Sequence, residues 1–222
     1  MNLDKNEIRE QVKQLLSTYP KLNIVKSDNS TIHLAGSIYV YRNALNYTVQ
    51  KNYMVEITIP ISESNTLPKI RETGNVISDN YPHRYQNGEL CLETETSMRL
   101  RFIDGLDLVA WMDEYVEPYF FSYEYYTRFG KYPFGERPHY LDGIINTYQD
   151  IFHTTDFIET SKLLIYAAES VYRGHATCPC GSGVKLRNCH GKYILPFALD
   201  KRKRNIAISD LNFIRKEISK YE

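Results

Sequence analysis

Two groups of side chains in this 222-residue chain have the types and the spacing to do chemistry. The first runs Cys178-Pro179-Cys180-Gly181-Ser182-Gly183 and closes with Cys189-His190, three thiols and one imidazole. Soft sulfur with a neutral imidazole suits tetrahedral Zn2+, whose structural sites take four protein ligands and leave no open position. Gly181 and Gly183 let the chain fold back so that Cys189 and His190 face Cys178 and Cys180. The stretch has little hydrophobic content of its own, so metal binding is expected to fold it. The second group surrounds Cys91 in Tyr81-Pro82-His83-Arg84-Tyr85-Gln86-Asn87-Gly88-Glu89-Leu90-Cys91-Leu92. Asn87-Gly88 is a turn signal that delivers the cysteine between two leucines. A sulfur so placed is either a nucleophile facing a groove or a small buried hydrophobe. Nucleophilic chemistry needs thiolate character from cations, dipoles or a base. His83 and Arg84 favour it, and Glu89 and Glu93 oppose it. For a protease-like pair the candidate bases are His83, His139 and His153, although taken singly each reads more readily as a structural or surface histidine.

The elements that position these groups follow from periodicity. Asp4 with Glu7 forms a capping-box pattern, and Ile8, Val12, Leu15 and Leu16 recur at helical spacing, which predicts an amphipathic helix over 4–18 lying on a sheet. Strands are expected at 22–26, at 31–40 and over Tyr53 to Ile59, where apolar residues alternate. Strands in this order without intervening helices favour an antiparallel meander. From Pro60 to Pro82 the periodicity fades, and an irregular segment is expected. Apolar helix is expected from Leu106 to Val116 with Trp111 as its anchor, interrupted at Pro118, and resuming from Tyr119 to Phe129. Further helices are expected at 141–152, from an Asp156/Glu159 start, and from Asp210 to Tyr221. Lys201-Arg202-Lys203-Arg204 reads as a solvated basic run rather than a nucleic-acid contact.

Composition bounds the partners. With 27 basic and 27 acidic residues the chain has no net field favouring nucleic acid or an anionic membrane. The first residues lack a secretory leader pattern, and no run approaches a membrane span. Three of the four cysteines cluster between 178 and 189, the mark of a metal site in a reducing, cytoplasmic setting rather than a disulfide framework. The 19 tyrosines suggest aromatic packing with hydroxyls near the surface.

The cysteine cluster resembles the SEC-C motif, a small zinc-binding appendage with the pattern Cys-x-Cys-Gly-Ser-Gly followed by Cys-His or Cys-Cys. Residues 3 to 170 resemble the ubiquitin-conjugating (E2) fold. E2 enzymes carry His-Pro-Asn, a spacer, then Asn-Gly-x-Ile-Cys-Leu, and this chain has Tyr81-Pro82-His83, the same spacer, then Asn87-Gly88-Glu89-Leu90-Cys91-Leu92. Pro60 and Leu67-Pro68 resemble the proline-rich approach of that family. Trp111, Pro133, Gly135-Glu136-Arg137, His139 and Gly143 are similar to bacterial E2-like proteins. Two positions depart from the pattern: Tyr81 stands at the family histidine and His83 at the asparagine that stabilises the oxyanion. The implied fold class is α+β, an E2-like meander packed with helices over 1–172 and a zinc module with a terminal helix over 173–222. The implied activity is acyl transfer. Cys91 would take the terminal acyl group of a ubiquitin-like modifier or a cGAS-like nucleotidyltransferase from an E1-like activating protein and pass it to a protein amine acceptor, in bacterial antiphage defence. His83 would donate to the oxyanion or serve as base, and Glu136 and His139 would shape the groove or bind a second metal. The rival expectations are a cysteine peptidase or isopeptidase and a non-catalytic E2-like adaptor.

Overall fold

The computed structural model describes residues 5–61, 66–136, 138 and 140–220. The expected roles of Asp4, Arg137, His139 and Tyr221 therefore lie outside the described residues. The chain divides into two compact units, Met1–Glu93 with Asp104–Glu136 and Thr94–Ile103 with Arg137–Glu222. The boundary expected at 172/173 falls inside the second of these.

In the first unit, helix α1 (Lys5–Thr18) leads into β1 (Leu22–Ser27), β2 (Thr31–Ala44), β3 (Tyr47–Pro60) and β4 (Lys69–Glu72), an open antiparallel sheet in the order β1-β2-β3-β4. The meander arises because alternate residues are apolar: Ile32 faces Ile59, Leu34 faces Ile57 and Ile38 faces Tyr53, all buried on one side. Two strand predictions need correcting. β2 and β3 run on past Val40 and back from Tyr47, because Leu45 and Asn46 take positive φ of 52° and 58° and close a two-residue hairpin. β4 lies within the segment expected to be irregular, held by Ile70 opposite Ile57.

Helix α3 (Leu108–Trp111) starts where Asp107 accepts hydrogen bonds from the Val109 and Ala110 N–H groups at 3.0 and 2.9 Å. The chain does not break at Pro118. It widens into one π-helical turn, Met112–Val116, in which the Glu117 N–H donates to the Met112 carbonyl five residues back, and then continues as α4 (Glu117–Phe129). A proline cannot donate to the carbonyl four residues before it, so the wider turn absorbs Pro118 in the first turn of α4. The tyrosines then bind α4 to the sheet. Tyr53 stacks on Phe120 with ring centres 4.0 Å apart, and its hydroxyl donates to Glu124 at 2.7 Å. Tyr47 meets Phe121, Tyr125 and Phe129.

The second unit contains α2 (Glu95–Arg101), α5 (Tyr140–Phe152), α6 (Phe157–Glu169), α7 (Gly191–Leu199) and α8 (Lys201–Ile218). Ile145, Tyr148, Phe152, Leu163 and Leu164 share one apolar core with Cys178, Leu186, Ile194, Phe197, Leu211 and Ile214. The expected start of the last helix at Asp210 is corrected to Lys201. Asp200 caps it by accepting from the Arg202 N–H at 2.8 Å, which offsets the poor placement of basic residues at a helix N-terminus. Within the basic run, Arg204 donates to the Ala168 carbonyl at the end of α6 (2.9 Å) and Arg202 to the Ile103 carbonyl (3.0 Å). One arginine of that run thus completes a helix end, and another holds the turn that follows α2. Among the described residues, no helix is long and apolar enough to cross a membrane.

Candidate metal centre and thiol site

The cysteine cluster is built from a tight reversal and a short turn. The Cys178 N–H donates to the Val184 carbonyl at 2.8 Å, and the Leu186 N–H donates to the Ala176 carbonyl at 2.8 Å. Gly181 and Gly183 take φ of 92° and 75°, the left-handed values that the expected fold-back requires. One 3-10 turn, Leu186–Asn188, then carries Cys189 and His190 back toward Cys178 and Cys180. His190 sits at the start of α7.

The four ligand atoms lie within 4.8 Å of one another. His190 Nδ1 is 3.5 Å from Cys178 Sγ and 3.2 Å from Cys189 Sγ, and Cys180 Sγ is 3.6 Å from Cys189 Sγ. With ordinary zinc–sulfur and zinc–nitrogen bond lengths, the edges of a tetrahedral site are about 3.6–3.8 Å, so the donor set fits the ion. Electrostatics agrees. Burial pushes the Cys178 thiol up to about 11. Burial also works against Cys180, but hydrogen bonds from Ser182 outweigh it and lower that thiol to about 6. Three sulfurs so close need a cation before all can be thiolates. Cys178, Cys180, Cys189 and His190 form a Cys3His cluster that fits a structural zinc site.

A family model for the SEC-C motif matches residues 176–192. The second unit carries a SEC-C zinc module. No curated protein and no solved structure matches the chain. In this module, Cys178 and Leu186 are buried in the core that α5 to α8 share.

The Cys91 stretch forms a small hairpin. Arg84 pairs with Leu90, the Tyr85 N–H donates to the Glu89 carbonyl and the Cys91 N–H to the His83 carbonyl, each at 2.8 Å. Asn87 accepts from the Glu89 N–H at 3.0 Å and Gly88 takes φ 82°, which is the turn expected from these two residues. The Cys91–His83 backbone hydrogen bond places the two residues opposite one another at the open end of this single-bridge hairpin. The hairpin is tied to β4 by the Leu90 N–H, which donates to the Ile70 carbonyl at 2.9 Å. The Tyr119 hydroxyl donates to the same His83 carbonyl at 3.0 Å, anchoring the hairpin to α4. Its flanking charges are committed elsewhere. Arg84 donates to the Ile77 carbonyl at 3.1 Å and pairs with Asp79, and Glu89 faces Lys69 and Arg71.

Cys91 is partly buried. Burial pushes its thiol above the usual range, a hydrogen bond from the Tyr85 side chain works against that rise, and Glu93 adds to it. The His83 ring lies edge-on to Tyr132 at 4.9 Å and 5.6 Å from Tyr81. Of the other candidates, Glu136 is exposed. His153 belongs to the second unit, its ring 4.5 Å from that of Tyr193. Sequence reasoning missed the specific hydrogen-bonding roles of Tyr85 and Tyr119, and the position of Glu159 beside His190.

Proposed function

We propose that the first unit is an E2-like acyl carrier that holds the terminal acyl group of another protein as a thioester on Cys91. The observation that carries this reading is the backbone hydrogen bond from Cys91 to His83 across a hairpin clamped by Tyr119, on a chain whose order is helix, four-stranded meander, cysteine, then helices. In the reaction, the Cys91 thiolate attacks the thioester of an E1-like protein, the new carbon–sulfur bond forms, and the activating thiol leaves. An acceptor amine then attacks. The amide forms, its surplus proton passes to His83 or to water, and Cys91 departs as thiolate. The His83 imidazole is suited to donate to the oxyanion in either step. The cargo under this reading is a ubiquitin-like modifier or a cGAS-like nucleotidyltransferase, in antiphage defence.

The direction of the thiol shift favours this reading over a cysteine hydrolase. A thiolate–imidazolium hydrolase depends on a depressed thiol pKa, and Cys91 is pushed the other way. A carrier draws its thiolate from the small ionised fraction, so charging should accelerate as pH rises through 8 and beyond, about tenfold per pH unit until the raised pKa is reached. Glu93→Gln removes a charge that opposes ionisation and should speed charging at neutral pH. The test is intact-mass analysis, without reductant, of the purified chain incubated with ATP, an E1-like partner and its modifier. A Cys91-dependent adduct that thiols release is expected, and Cys91→Ser should hold it as a thiol-resistant ester. No adduct with a partner that is itself charged refutes the proposal, and cleavage of a tagged conjugate without ATP supports the hydrolase instead.

A further inference from the structure

The two ring nitrogens of His190 face different neighbours. Nδ1 is the nitrogen aimed at the sulfurs of Cys178 and Cys189. Nε2 lies 3.5 Å from Oε1 of Glu159, on α6 and outside the matched residues 176–192. That carboxylate is held independently of the histidine. Its other oxygen accepts from the Thr154 hydroxyl at 2.9 Å, and its own N–H is fixed by the Asp156 cap at 2.7 Å. The pair is shielded, with side-chain exposures of 14% for His190 and 28% for Glu159. A neutral imidazole carries one proton, and a carboxylate at Nε2 favours the tautomer that keeps it there, leaving the Nδ1 lone pair free for a metal and making it more basic.

We propose that Glu159 is a positioning residue of the zinc centre. It holds His190 in the Nε2–H tautomer with Nδ1 directed at the ion, and it couples zinc occupancy to the first turn of α6. The motif by itself supplies four ligands, and the helix preceding it supplies the orientation of the one ligand that has two ways to bind.

The test uses the full chain and zinc itself. Zinc affinity, measured by competition with a chromophoric chelator, should fall about 10–100-fold in Glu159→Ala. Glu159→Gln keeps a carbonyl that accepts from Nε2–H and should stay within about tenfold of the parent. Because Glu159→Ala also loosens a helix turn, hydrogen exchange gives a second readout: removing zinc should speed exchange at the amides of residues 159–162 in the parent chain, whereas the alanine variant should already exchange fast with zinc bound. Nitrogen-15 spectra of the zinc form should show His190 protonated at Nε2. Equal losses in both variants, an affinity for Glu159→Ala within about threefold of the parent, or ligation through Nε2 would each overturn the proposal.

Discussion

Asp210 on α8 is a carboxylate buried in the second unit, and it accepts from the Thr96 and Tyr148 hydroxyls, each at 2.9 Å. Burial raises its pKa, while the two hydroxyls and the nearby Arg99 pull it back and Glu95 adds to the rise. A carboxyl group whose folded pKa exceeds its unfolded value binds its proton more readily in the folded chain. Its charge therefore costs stability at neutral pH, and that cost is relieved as pH falls through the folded value toward about 4. Asp210→Asn can still accept from both hydroxyls without a buried charge. It is expected to melt at or above the parent temperature at pH 7 and to lose the gain that the parent shows on acidification toward pH 5. Asp210→Ala leaves two buried hydroxyls without their acceptor and should cost about 1–3 kcal/mol for each. Thermal unfolding of the three chains at pH 7 and pH 5 checks all of this, and a parent gain on acidification no larger than that of the asparagine variant would contradict it. The same residue explains one failure of sequence reading. Thr96 is buried because Asp210 lies far along the chain to receive its proton, so the polar stretch Glu95-Thr96-Ser97 conceals helix α2. The zinc ligands were legible because all four are local in sequence. Glu159 was not, because its identity was already explained as part of a helix start, which it also is.

At the scale of elements, the β2–β3 meander and the long helices announced themselves by period, whereas β4 did not. Its inward positions are Ile70 and Glu72, so the alternation includes a carboxylate where an apolar residue is expected. Glu72 faces inward because it serves the backbone: it accepts from the N–H groups of Gly74, Val76 and Ile77 at 2.6, 2.9 and 3.2 Å. The Tyr123 hydroxyl holds the same loop from α4 by donating to the Val76 carbonyl at 2.6 Å. This loop leads to the Cys91 hairpin, so its order bears on where His83 and Cys91 sit. Glu72→Ala removes the acceptor for three N–H groups and should lower stability by about 2–3 kcal/mol, since hydrogen bonds to a charged group are the stronger kind. Hydrogen exchange should speed at Gly74, Val76 and Ile77 while the amides pairing β2 with β3 stay protected. Unchanged protection at those three amides would show that water substitutes for the carboxylate.

At the scale of the molecule, the chain alternates between its two units, because α2 belongs with the helices that follow residue 137 while Asp104–Glu136 belongs with the sheet. A sequence reading that cuts the chain once cannot express this, and the expected zinc module over 173–222 takes with it half of a shared core. Tyr148, Phe152, Leu163 and Leu164 on α5 and α6 are buried against residues that include Leu186, Ile194, Phe197, Leu211 and Ile214 from beyond that cut. Burying side chains of this size contributes roughly 1.5–3 kcal/mol each, so losing the five beyond the cut together removes an amount comparable to the whole margin of about 5–15 kcal/mol by which a domain is stable. A chain ending at residue 172 would also leave Tyr148 without the Asp210 acceptor and the end of α6 without Arg204. It should therefore bind a hydrophobic dye, lose near-ultraviolet ellipticity from the Tyr148 and Phe152 surroundings and aggregate on warming. Removal of zinc from the full chain is a milder injury, because Leu186, Ile194 and Phe197 remain covalently in place to pack. Chelation should loosen residues 176–192 in hydrogen exchange and lower the melting temperature, with α5 and α8 still helical by far-ultraviolet dichroism. If chelation instead disorders α5 and α8 as completely as truncation does, the metal rather than the apolar core holds that unit together.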